Sequence, residues 1–281
     1  MITWLDNPLV QSALLPFIMA LVLARVLAAF LPRWQGLAIP LGFYPAAVLM
    51  AGLQLVPFTS TRKILLLGVI AVILSGIFSW RNMLGLSHRF LLAVSIVVAT
   101  LWVLWPLLMR TDGLALLSVL GSGLIYMLWL TLLIDAQRLD MPVKLLNACV
   151  FSAGVAVVAT IGGSALLGQL SGALAAATGG VLLVVFFSRK PSDAQMFMFP
   201  VMLMAGLLSL AAVVYASLPW RSLLCLMAIP LVSLLPLSFN KLWLKLLIQL
   251  LLMLMAVAGA VYIAWDFSSN LALDNADNGY Y

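Results

Sequence analysis

Apolar residues in this chain run in ten long blocks, separated by short joins that hold nearly all of its charge. About 20 apolar residues rising roughly 1.5 Å each cross the hydrocarbon of a bilayer as a helix. By that measure the spans run near Leu9–Leu31, Leu37–Phe58, Ile64–Trp80, Phe90–Met109, Leu114–Ile134, Lys144 to Gly162, Ser164 to Arg189, Met196–Leu218, Ser222–Phe239 and Leu244–Trp265. The pattern predicts an all-α, polytopic transmembrane helical bundle. It reads as a single membrane domain over residues 1–265, followed by an acidic, solvated tail over 266–281.

One stretch has a second periodicity laid over the first. Between Lys144 and Arg189 small residues recur at every fourth position: Ala148, Ser152, Ala156 and Thr160, then Ser164, Gly168, Gly172, Ala176 and Gly180. In lipid, helices associate mainly by close backbone approach across small residues. The ladder therefore predicts a hairpin of two spans, turned at Gly162-Gly163-Ser164. Four-residue steps advance about 40° beyond a full turn, so each half winds around its helix and suits right-handed crossings. This packing seam is either internal or shared with another membrane subunit or a second copy of the chain.

Composition closes off other classes. Hydrophobic residues are 65% of the 281 and charged residues 8%, which leaves too little polar surface for a water-soluble domain. There is no Glu and only one His, His88, so bis-histidine haem ligation is impossible. Cys149 and Cys225 both lie inside apolar runs and form no Cys-x-x-Cys pair. No phosphate-binding Gly-rich loop, His-Glu-x-x-His or Gly-x-Ser-x-Gly is present. The expectation is a chain without metal or cofactor, and without an acid–base constellation for catalysis.

The net charge of +6 changes the picture less than it would in a soluble protein. Basic residues at span ends are topology determinants and headgroup contacts, not a nucleic-acid surface. Ten crossings put both termini on one side. With the termini on the outer (periplasmic) side of a cytoplasmic membrane, ten of the fourteen Lys and Arg fall inside and four outside. All eight acidic residues are Asp near span ends or beyond, which disfavours a proton relay through a buried carboxylate.

Candidate chemistry is sparse. Arg25 lies about two turns inside the first span, where it either meets an anion or snorkels to the headgroups. Pro40 and Pro230 mark the second and ninth spans as candidates for broken helices beside a solute site, with Gln54 as a polar neighbour. Asn147, Gln169, Gln249, Ser122 and Tyr126 are midspan polar groups that read as interhelical hydrogen bonds or as parts of a polar path. Two functions fit. One is a permease-like protein moving a small neutral, amphipathic or lipid-like solute. The other is a non-catalytic scaffold or anchoring subunit of a larger membrane assembly.

Overall fold

A computed structural model describes residues 7–52, 59–81, 86–109, 113–136, 140–188, 198–235 and 241–277. The chain is an all-helical bundle of ten α-helices among those residues: α1 (Leu15–Phe30), α2 (Ala38–Ala51), α3 (Ser60–Arg81), α4 (Leu86–Leu108), α5 (Gly113–Ala136), α6 (Met141–Ile161), α7 (Ala165–Phe187), α8 (Met198–Tyr215), α9 (Trp220–Val232) and α10 (Leu242–Asp277). A π-helical turn, Val10–Leu14, leads into α1, and a 3-10 segment, Pro32–Leu37, joins α1 to α2. Eight stretches are long and apolar enough to cross a membrane. Helix α5 is 24 residues long, whereas α9, Trp220–Val232, is a shorter apolar helix of 13.

Three boundaries differ from the hydropathy reading. Gly52 takes φ +75° and ends α2, ahead of Phe58. In α9, Pro230 supplies no N–H, and the helix ends two residues later at Val232 instead of running to Phe239. Conversely, α10 continues past Trp265 through the start of the acidic tail to Asp277.

The centre is built from α6, α7 and α8. Every residue of α8 from Val201 to Ala212 is buried. The most extensive helix pair is α6–α7, joined by the expected turn: Gly163 takes φ +92°, and the Ser164 hydroxyl accepts from Leu167 N–H at 3.4 Å as an N-cap. Around them, α1 packs on α7 and α2, α3 on α8, and α10 on α9 and α6.

The small-residue ladder is an internal seam. A Cβ on Gly168 would strike the Thr160 hydroxyl and lie 3.0 Å from Ala156 O, while Gly172 is looser, with Ser12 O and Ala156 Cβ at 3.7 and 3.9 Å. Gly180 turns to α1 instead, and its Cβ would stand 2.6 Å from Phe17 O and 3.1 Å from Leu21 N. From the other side, a Cβ on Gly42 of α2 would lie 2.7 Å from Ala20 Cβ and 2.9 Å from Pro16 O. Helix α1 is thus clasped at Ala20 between one glycine of α2 and one of α7. Ala176 is half-buried along the same helix.

Candidate functional site

Helices α6 and α10 run parallel and in step. Lys245 Nζ donates to Asp140 Oδ2 at 3.2 Å at one end. About four turns further along α6, a Cβ on Gly154 would lie 3.2 Å from Val257 Cγ2 and 2.7 Å from Leu226 Cδ2 of α9. Asp140, Lys144, Asn147 and Gly154 follow the i, i+4, i+7 spacing of one helix face, so the residues between the two contacts also face α10. On α10, Gln249 lies one turn on from Lys245, at the level between Lys144 and Asn147.

Helix α9 brings a third wall. It starts close to Ala216, whose carbonyl stands 2.8 Å from a Cβ on Gly162 at the end of α6, and it reaches the level of Gly154 at Leu226. It therefore descends antiparallel to α6, and Pro230 and Ser233 come down toward the Asn147–Gln249 level. Ser233 Oγ donates to Pro230 O at 2.6 Å. Without an N–H at position 230, the Leu226 carbonyl receives no helical hydrogen bond from it.

This layer is polar and closed. Lys144, Asn147 and Gln249 are 2%, 1% and 0% exposed. Both amide atoms of Asn147, and both of Gln249, are buried without a hydrogen-bond partner. A buried polar atom left unpaired costs about 1–3 kcal/mol. By the register of α6 and α10 these four atoms stand near one level, and they offer donors and acceptors that no described residue satisfies. No group of three metal-ligating side chains occurs among the described residues.

No protein-family model matches this chain, and no curated protein does.

Of the residues singled out by sequence, Pro230 lies buried on α9, one turn beyond Leu226 in the direction of the Asn147 level. Pro40 is buried in the first turn of α2, a position where a proline displaces no α-helical donor, and α2 packs chiefly on α1 and α7. The structure therefore does not bring the two prolines together. Arg25 is exposed on α1, off the buried stripe Pro16, Ala20 and Ala24. Gln54 lies outside the described residues. The midspan pair Tyr126 and Ser209 is self-contained: Ser209 Oγ donates to Gly206 O at 2.7 Å and accepts from Tyr126 OH at 2.6 Å. Ser122 is spent on the Ser118 carbonyl of its own helix at 2.7 Å.

Sequence reasoning missed two buried lysines. Lys63 and Lys144 both read as cations at span ends, yet Lys63 is 8% exposed inside the first turn of α3 and Lys144 is enclosed in α6. The available signal was position. Each stands three residues after the first residue of its helix, and within a bundle an early turn can face protein as readily as headgroups.

Proposed function

We propose that this chain is a permease for a small neutral, amphipathic or lipid-like solute, bound at the level of Asn147, Gln249 and Pro230. The observation that carries the reading is the pair of enclosed, unpartnered carboxamides where α9 is broken. Broken helices and unsatisfied polar groups within a bundle are the usual makings of a solute site in a membrane. A neutral guest suits two amides, which offer donors and acceptors in equal number. The reading takes the membrane to be the cytoplasmic one and the termini to lie outside, the orientation that the distribution of basic residues favours.

The test is reconstitution of the purified chain alone in liposomes. Permeation is followed for urea and acetamide by osmotic response, and for a short-chain fluorescent phospholipid by quenching. The expected result is movement of at least one probe severalfold above protein-free liposomes, abolished by Asn147→Leu with Gln249→Leu. Failure with every probe, together with purification at fixed stoichiometry with other membrane proteins, would replace transport by the scaffold reading. The exposed apolar face of α10, including Leu247, Leu251, Met255, Tyr262 and Trp265, is the surface such partners would cover.

A further inference from the structure

Helix α4 carries Pro106 near its C-terminal end. A proline there cannot donate to the carbonyl four residues back, which is Trp102 O. That carbonyl accepts instead from Lys63 Nζ of α3 at 3.2 Å. The next carbonyl, Val103 O, accepts from Tyr215 OH at the end of α8 at 2.9 Å. Two consecutive carbonyls at the break are thus held by side chains of two other helices.

The chemistry of each donor suits its place. Lys63 is among the few charged side chains buried in the bundle, and no carboxylate pairs with it among the described residues. Its acceptor is a proline-orphaned carbonyl near the C-terminal, electronegative end of α4, where a cation is favoured. Neither contact is covalent or extensive. Helices α3 and α4, and α4 and α8, share far less surface than α3 and α8 do.

We infer that Lys63 and Tyr215 form a two-point latch on the Pro106 break, fixing the last turns of α4 against α3 and α8. Release of the latch lets that end of α4 move while α3 and α8 stay packed. The device stands independently of the transport reading, since its residues lie in other helices than Asn147, Gln249 and Pro230.

Amide hydrogen exchange of the full chain in lipid nanodiscs tests it, read on peptides covering Val103–Met109 and, as controls, α3 and α8. Lys63→Met should speed exchange at the end of α4 on the order of tenfold, and Lys63→Arg, which keeps the cation, much less. Tyr215→Phe should speed it in the same segment and serves as the second measurement should Lys63→Met fail to fold. In a Pro106→Ala background the restored N–H satisfies Trp102 O, and Lys63→Met should then have little further effect. Unchanged exchange in both latch variants would overturn the inference. So would an equal Lys63→Met effect with and without Pro106, or simultaneous loss of protection in α3, α4 and α8.

Discussion

At the residue scale, the glycines are not equivalent, although the four-residue ladder treats them as if they were. Gly180 and Gly42 face backbone atoms of α1, which cannot turn aside. The closest clash of a Cβ on Gly168 is with the Thr160 hydroxyl, which is bonded to Ala156 O at 2.8 Å and can change rotamer, and its nearest backbone neighbour, Ala156 O, stands at 3.0 Å. Gly172 has nothing closer than 3.7 Å. Overpacking typically costs about 1–3 kcal/mol. Gly42→Ala and Gly180→Ala should each destabilise by about that much in a detergent unfolding titration, Gly168→Ala by less, and Gly172→Ala should stay within about 0.5 kcal/mol. A Gly172→Ala loss equal to that of Gly180→Ala would remove the distinction. The ladder was legible because small residues stand out in an apolar chain. Gly42 was not, since a glycine between Pro40 and Pro45 reads as a helix breaker until α1 is seen lying on it.

At the element scale, hydropathy locates helices but says little about which face meets which neighbour. All ten apolar blocks became helices, and the hairpin turn fell where Gly162-Gly163-Ser164 placed it. The α6–α10 pairing joins residues about 100 positions apart, with no local signal for it. Asn147 and Gln249 therefore looked like two unrelated amides until Asp140–Lys245 and Gly154–Val257 set the register. Their worth can be measured by separating stability from activity. Exchanging unsatisfied buried polar groups for apolar ones of similar shape is often neutral or stabilising. The double variant Asn147→Leu, Gln249→Leu should accordingly unfold no earlier than the parent while losing solute movement in liposomes. A clear drop in stability would mean that the two amides hydrogen-bond one another across the helices, and that the layer is a structural clasp.

At the scale of the whole molecule, the same register decides how the short helix α9 is counted. Because α6 and α10 run parallel, an odd number of antiparallel passes lies between them, and α7, α8 and α9 supply three. The proposed ten-span topology therefore counts α9 as the third pass, although its 13 residues rise about 20 Å against a hydrocarbon core of about 30 Å. The enclosed lysines change the charge argument without reversing it. Lys63 and Lys144 are buried against protein, so under the proposed orientation with both termini outside each side loses one, leaving nine basic residues inside and three outside. Helix α10 adds an independent indication. Its 36 residues rise about 54 Å, well beyond the membrane, and its last turns carry Asp266, Asp274 and Asp277 without a single Lys or Arg. A segment free of positive charge is the kind that translocates readily. A phosphatase that folds only outside the cytoplasm, fused after Tyr281, should therefore be active, and a fluorescent protein that matures only inside should stay dark. The reverse pair of results would invert every loop at once and put the Lys63–Tyr215 latch, with the break in α4, at the cytoplasmic face.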